Sequence, residues 1–298
     1  MNGTTTAQLA EKTAKAVTGS VEEWTGFLQS AARLYKYSYP EQLLIYAQRP
    51  DATACASYEI WNQTMRRYVR RGARGIALPD GAEAVRYVFD VADTGARKSS
   101  REVKTWALDE NNREAVAHAL ETQYGSAAKL GIAGQLEEIA MQQSMDYWQW
   151  HQDELRGIVD GSFLEGYDEL NLEIAFRNTA AASVKYMLLS RCNLAREYQI
   201  EPEELAGVLE WNTSAASGAL GSAVSELSEG VLRQIERTIR QYERSQNHDE
   251  RTDVYEERRV LDSRSDSSRT VGDTEQIRTD AGMVSEGASD DHLQQPAP

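Results

Sequence analysis

Apolar residues recur at helical spacing in two stretches near the start of the chain. Each stretch follows a Ser-x-x-Glu sequence, Ser20-Val-Glu-Glu23 and Ser38-Tyr-Pro-Glu41, in which the serine caps a helix N-terminus and the glutamate returns a hydrogen bond. The first apolar face holds Trp24, Phe27, Leu28, Ala31 and Leu34, and the second holds Leu43, Leu44 and Ala47. The pattern therefore predicts one helix after Ser20 and another after Ser38.

The next part of the chain favours extended structure. Tyr58–Met65 is predicted as a short helix, and the glycines that follow predict a turn between two short strands. Ile76–Leu78 and Glu83–Val91 are predicted as strands, and the alternation in the second predicts one buried face made of Val85, Tyr87, Phe89 and Val91. Residues 20–101 thus read as a compact α+β domain, preceded by a small, polar and flexible lead-in at residues 1–19.

From residue 102 the pattern is helical. Five helices are predicted, at Asn111–Tyr124, Gly134–Val159, Asp168–Cys192, Pro202–Trp211 and Ala215–Gln246. Asn193 is placed as a C-terminal cap. An all-α region over residues 102–246 that buries its apolar stripes is the favoured interpretation, and a partner-binding groove is the alternative. Residues 247–298 lose the periodicity and carry 13 Asp/Glu against 6 Lys/Arg, which predicts a disordered acidic tail or linker.

Charge is distributed unevenly along the chain. The formal net charge is −15, yet residues 31–101 sum to +5 and residues 102–298 to −19. An acidic protein of this kind is a poor general binder of nucleic acid, so a local basic region needs its own explanation. Cys55 and Cys192 are expected to be free thiols, and no signal peptide or membrane span is recognisable. We expect a cytoplasmic protein without membrane partners.

Motifs that carry catalysis are missing from the sequence. There is no Walker loop, His-Glu-x-x-His, Gly-x-Ser-x-Gly or dinucleotide fingerprint, and no Asn/Asp-Pro-Pro-aromatic motif of amino-methyltransferases. The clusters Glu137/Glu138 and Glu201/Glu203/Glu204 fit solvated helix faces better than catalytic carboxylates. The histidines and cysteines form no metal motif. We therefore expect a protein that is not an enzyme and holds no metal or cofactor.

The stretch Thr64–Gly75, called the arginine segment below, is the strongest functional indication. Arginine binds phosphate in a forked geometry, and glycine lets a backbone approach closely. The five arginines and two glycines predicted to meet phosphates are Arg66, Arg67, Arg70, Arg71, Arg74, Gly72 and Gly75. Aromatic faces for stacking unpaired bases are abundant nearby, and Tyr37, Tyr68 and Trp61 are predicted for that role. Core packing is the alternative for Trp61, and a charge-guarded strand edge is the alternative for the arginines.

A family resemblance favours the nucleic-acid interpretation. The run Trp24…Phe27-Leu28…Tyr37-Ser38…Gln42-Leu43-Leu44-Ile45…Gln48-Arg-Pro50-Asp-Ala52-Thr53…Trp61…Val69…Gly72-Ala-Arg-Gly75-Ile76 resembles the N-terminal domain of ArdC-like antirestriction proteins. The resemblance covers about residues 20–95 and implies single-stranded DNA binding, with Gln42 and Gln48 among the contacting residues. Glu41 departs from the family's usual Asn, and a helical region replaces the metalloprotease-like domain of ArdC.

That combination is similar to the N-terminal part of large proteins of Firmicutes conjugative elements, which continue into helicase and adenine-methylase modules. It implies a bacterial, non-enzymatic single-stranded DNA-binding module of a mobile element, with conjugation or replication proteins as further partners. An acidic interaction module or DNA mimic that inhibits a restriction enzyme is the alternative, because of the −19 balance after residue 101.

Overall fold

The computed structural model describes residues 2–81, 84–129, 131–194 and 200–267, the last part from residue 247 as helix backbone alone. Within these residues the chain forms a small β-containing region followed by a helical one, as the sequence predicts. The helices are α1 (Gly3–Val17), α2 (Val21–Arg33), α3 (Tyr39–Gln48), α4 (Arg113–Tyr124), α5 (Gly131–Gly157), α6 (Glu169–Arg191), α7 (Pro202–Leu205) and α8 (Ser214–Ser267). The strands are β1 (Cys55–Ser57), β2 (Tyr68–Val69), β3 (Ile76–Asp80), β4 (Ala84–Asp90) and β5 (Thr94–Gly95).

The first helix corrects the prediction of a flexible lead-in at residues 1–19. Asn2 caps α1 by accepting a hydrogen bond from the Thr5 N–H at 2.9 Å. Ala14 and Val17 are buried, and α1 packs against α3 and β3. The composition did not indicate a helix because its residues are mostly small and polar. Alanine nevertheless has the highest helix propensity of all residues, although its side chain is small.

The two predicted capped helices are confirmed as α2 and α3. Ser20 accepts from the Glu23 N–H, and the Glu41 carboxylate accepts from the N–H and hydroxyl of Ser38. Helix α2 buries Trp24, Phe27, Leu28 and Ala31 on one face. These caps satisfy backbone donors that would otherwise be left unpaired in the first helical turn.

A three-stranded antiparallel sheet has the order β1-β4-β3, and β2 pairs with β5 in a separate two-stranded ribbon. The helix-facing side of β4 consists of Arg86, Val88 and Asp90, so the predicted buried face was wrong by one residue. Polar groups are tolerated there because each has a partner. Arg86 pairs with Glu41, and buried Asp90 accepts from the Thr53 and Ala54 N–H groups. Tyr87 and Phe89 consequently lie on the open side of the sheet.

Residues 1–245 form one compact unit, so the regions predicted as separate domains at 20–101 and 102–246 share a core. The Trp24 indole donates to the Ser183 hydroxyl at 3.0 Å, across more than 150 residues of sequence. The Tyr35 hydroxyl donates to Glu236 on α8 and accepts from the Trp106 indole. A smaller cluster of Leu34, Leu44, Ile45, Ala52, Ile76, Leu78 and Val88 lies beneath the sheet.

The predicted helices of the second region correspond to α4–α8, except that the one predicted at Pro202–Trp211 is α7 followed by a separate 3-10 helix at Ala206–Glu210. The starts of the other four lie within three residues of the predicted ones. Asp168 caps α6, and Asn193 follows it with a φ of +59°, the left-handed conformation that the predicted cap requires. The last helix continues past its predicted end at residue 246 to Ser267, over a stretch rich in glutamate and arginine. The rest of the predicted tail, residues 268–298, lies outside the described residues.

Candidate nucleic-acid interface

The arginine segment turns twice between the π-helical turn Ile60–Thr64 and strand β3. Arg66 has a φ of +54°, and the bend brings the Arg67 N–H to the Trp61 carbonyl at 2.8 Å. After β2, Gly72 has a φ of +86°, and apart from its chain neighbours no described residue has an atom within 4 Å of where its Cβ would be. A side chain at position 72 would strain the backbone, so glycine is needed for the turn itself.

The five arginines of the segment divide into two groups. Arg67 donates to the Thr94 hydroxyl at 2.8 Å, and Arg70 donates to the Ala92 carbonyl at 3.1 Å. Arg67 thus ties the start of β2 to β5, and Arg70 ties the end of β2 to the turn before β5. Arg66, Arg71 and Arg74 are exposed. Within the described residues, none of the five forms an ion pair with a carboxylate.

A second basic segment lies beside the first. Ser100 donates to the Arg66 carbonyl at 2.6 Å, and the Arg101 N–H donates to the Met65 carbonyl at 2.9 Å. These hydrogen bonds hold the second segment against the first, so three further exposed cations, Arg97, Lys98 and Arg101, lie beside the arginine segment. We call these three residues and the five arginines the basic surface. The sequence prediction missed the three, although the +5 balance of residues 31–101 already contained their charge.

Tyr68 is the predicted stacking residue that the structure leaves accessible. Its side chain is 41% exposed and lies across Gly95, where a Cβ would meet the ring at 2.3 Å. The Arg97 guanidinium lies 5.5 Å from the centroid of the Tyr68 ring. A tyrosine ring beside an arginine is a suitable contact for a base and its phosphate.

The open face of the sheet adds aromatic rings, of which Tyr87 and Phe89 were predicted to lie on the buried face of β4. Tyr87 is 45% exposed, Tyr58 is 54% exposed, and the Tyr58 and Phe89 ring centroids are 6.5 Å apart. Gly75 lies under this group, since a Cβ there would come within 3.2 Å of both Tyr87 and Phe89. We call Tyr58, Tyr87 and Phe89 the aromatic face. The role of Gly75 is thus to seat these rings, which differs from the predicted phosphate contact.

Trp61 and Tyr37 are not available for stacking, which corrects their predicted role. Trp61 is 2% exposed, and its indole N–H donates to the Phe89 carbonyl at 2.8 Å. The Tyr37 hydroxyl donates to the Cys55 carbonyl at 2.8 Å, and burial raises the pKa of that hydroxyl. Both side chains brace the strands behind the aromatic face. Nothing in their spacing distinguishes a bracing aromatic residue from an exposed one.

Gln42 and Gln48 also serve the fold, contrary to the contact role implied by the resemblance. Buried Gln42 donates to the Tyr37 carbonyl at 2.9 Å and closes the turn before α3. Gln48 pairs with the backbone of Ala77 in both directions, each bond at 3.0 Å, and so replaces a neighbouring strand along β3. Its amide satisfies backbone groups on the outer edge of the sheet.

The surroundings leave the basic surface electropositive. Asp93, four residues before Arg97, binds the Arg49 guanidinium at 2.7 Å, and exposed Glu102, which follows Arg101, lies 3.9 Å from the Lys104 ammonium. Burial raises the pKa of both Cys55 and Cys192 to about 12, which favours the neutral thiol at pH 7. The described residues contain no group of three His, Cys, Asp or Glu side chains placed to hold a metal ion. None of their helices has the length and apolar character needed to cross a bilayer.

Comparisons of the chain with protein-family models, with curated proteins and with solved structures find no match in any of the three.

Proposed function

We propose that the basic surface and the aromatic face together bind single-stranded DNA, without catalysis. The observation that carries the proposal is a group of cations that form no ion pair with a carboxylate among the described residues, beside exposed aromatic rings, in a chain of net charge −15. Arg66, Arg71 and Arg74 bind phosphates in this proposal, and Arg97, Lys98 and Arg101 extend the path. Tyr68, Tyr87 and Phe89 stack on bases.

A single strand suits this surface better than a duplex does. The rings lie on a short sheet, where only bases freed from their pairing partners reach them face to face. No helix of the described residues presents the arginines for insertion into a major groove, because they lie in turns and irregular segments outside the helices and strands. Stacking also tolerates any base, so we expect weak sequence preference.

The biological setting rests on the motif string that resembles ArdC-like proteins. On that ground we propose a role in DNA transfer or replication of a bacterial conjugative element, in the cytoplasm and with an antirestriction connection. The same resemblance makes the chain a candidate N-terminal part of a larger helicase and methylase protein. Conjugation or replication proteins are the further partners that this setting implies.

A charge-reversal titration tests the proposal. We expect Arg71→Glu/Arg74→Glu to weaken binding of the full chain to labelled oligo-dT about tenfold or more, measured by fluorescence anisotropy. Each phosphate contact on a single strand contributes about −0.7 to the slope of log affinity against log salt, so the variant should reduce that slope by about 1.4. Arg237→Glu/Arg244→Glu is the matched control, since both arginines are exposed on α8 and neither belongs to the basic surface.

Two results would contradict the proposal. One is equal loss of affinity in both double variants, which would mean that only total charge matters. The other is absence of oligo-dT binding by the unmodified chain at low salt. If the unmodified chain does not bind oligo-dT but still protects DNA from a restriction enzyme, the acidic DNA-mimic alternative is supported instead.

A further inference from the structure

A groove on the helical region is separate from the basic surface and has the opposite charge. It encloses about 600 Å³ between α5, α6 and the segment that begins with α7. Its apolar lining includes Met141 and Ile174, which are 55% and 44% exposed. Large apolar side chains this accessible on neighbouring helices typically mark an interaction site.

The apolar lining continues along one side of α6. Leu170, Ile174 and Ala181 share that side at helical spacing, and Leu170 is 64% exposed. Phe176, Ala180 and Val184, on the adjoining side of α6, are buried in the core, and Arg177, paired with Glu173, borders the exposed residues. Helix α6 therefore carries exposed apolar residues beside its buried face, and the described residues do not cover them. An elongated apolar strip of this kind matches the anchors of a bound helix.

Carboxylates surround the strip. Among the described residues that line the groove, four are glutamates, Glu137, Glu203, Glu204 and Glu210, and one is a cation, Lys185, which gives them a net charge of −3. The Lys185 ammonium bonds to Glu137 at 2.8 Å and to Glu204 at 2.9 Å. Burial would lower the pKa of Lys185, but these two hydrogen bonds outweigh it and raise the pKa. Within the described residues, Glu203 and Glu210 have no ion-pair partner.

We propose that this groove binds an amphipathic helix whose apolar face is flanked by lysine or arginine. The apolar strip receives the helix, and Glu203, Glu210 and the free oxygen of Glu137 pair with its cations. Phosphate-bearing ligands are disfavoured, since four carboxylates would repel them. Charge complementarity sets the orientation and association rate, and the buried apolar contacts supply most of the affinity.

Three labelled helical peptides of about 16 residues test the groove, at a length near the minimum for a stable helix. They share leucines at i, i+3, i+4 and i+7 and differ only in their flanking residues, which are lysine, glutamine or glutamate. With the full chain, we expect fluorescence anisotropy to show the lysine peptide binding at least tenfold more tightly than the glutamate peptide. Added salt should narrow that difference, because it screens the charges around the groove.

Variants locate the binding site. Ile174→Asp and Glu203→Lys/Glu210→Lys should each weaken binding of the lysine peptide at least tenfold. The control Glu11→Lys/Glu121→Lys makes the same charge change on exposed positions of α1 and α4 and should leave affinity within twofold. Unchanged melting temperatures show that the variants fold. No binding of any peptide, no preference for lysine, or equal effects of the control and groove variants would overturn the proposal.

Discussion

Gly75 shows how one missing side chain shapes a surface. Tyr87 and Phe89 on β4 lie directly over it, and any Cβ would press against both rings. Arg74, the preceding residue, is exposed, so the end of the arginine segment stands next to the rings. A base stacked on Tyr87 would thus have a guanidinium near its phosphate. This proximity makes Tyr87 the residue that best separates stacking from simple charge attraction.

We expect Tyr87→Ala to weaken oligo-dT binding by about 1–3 kcal/mol, because alanine removes one stacking face. This corresponds to a loss of affinity of roughly 5-fold to 150-fold. Anisotropy titration at fixed salt measures it, and the salt slope should stay unchanged because no phosphate contact is lost. Tyr167→Ala is the control, since Tyr167 is similarly exposed but lines the acidic groove. Equal affinities of the two variants would show that Tyr87 does not stack on DNA.

Residue identity alone could not assign these aromatic roles. The sequence predicted stacking rings near the arginine segment, and of the three residues predicted for that role Tyr68 is the most exposed. Trp61 and Tyr37 instead donate hydrogen bonds to strand carbonyls, which depends on contacts with β1 and β4. Tyr87 was assigned to the core because its neighbours Arg86 and Asp90 looked solvent-facing. Their partners, Glu41 and backbone amides, come from distant parts of the sequence.

At the scale of elements, the helices were predictable because their information is local. Ser20, Ser38 and Asp168 mark helix starts through bonds to residues three positions away. The sequence around β4 does not determine which of its two faces is buried, because that depends on the elements that pack on the strand. Helix α1 escaped prediction for the same reason, since its short apolar face becomes meaningful only against α3 and β3.

Helix α8 offers a test of packing with two glycines one turn apart. A Cβ at Gly221 would come within 2.1 Å of the Tyr39 ring, which is 4% exposed, whereas none of the described atoms lies within 4 Å at Gly218. We expect Gly221→Ala to lower the free energy of unfolding by about 1–3 kcal/mol through overpacking. Gly218→Ala should raise it by roughly 0.5–1 kcal/mol, because alanine favours the helix.

Urea unfolding followed by circular dichroism measures both glycine variants. If the two substitutions change the free energy of unfolding in opposite directions, the close contact between α8 and Tyr39 outweighs the helix propensity of alanine at position 221. A stabilised Gly221→Ala variant would mean that Tyr39 does not pack against α8 in this way.

At the scale of the whole molecule, the charge changes sign near residue 101, but the hydrophobic core is continuous across that point. The change from +5 to −19 near residue 101 describes the surface, and it suggested two domains. The core ignores that boundary, because α2 packs on α6 and Tyr35 bonds to Glu236. Burying these contacts joins the basic surface and the acidic groove in one unit, a fact that depends on residues more than 150 positions apart.

We therefore expect residues 1–245 to unfold together in the full chain, and residues 1–101 alone not to fold. Without α6 and α8, a fragment would expose Trp24, Phe27 and Leu28, each worth about 1.5–3 kcal/mol when buried. That loss is comparable to the whole stability of a typical domain, about 5–15 kcal/mol. Tryptophan fluorescence and circular dichroism should give coincident urea transitions for the full chain, and the fragment should show no cooperative transition. Two separate transitions, or a fragment with a sharp transition and undiminished oligo-dT affinity, would contradict a shared core, because the small cluster beneath the sheet would then suffice on its own.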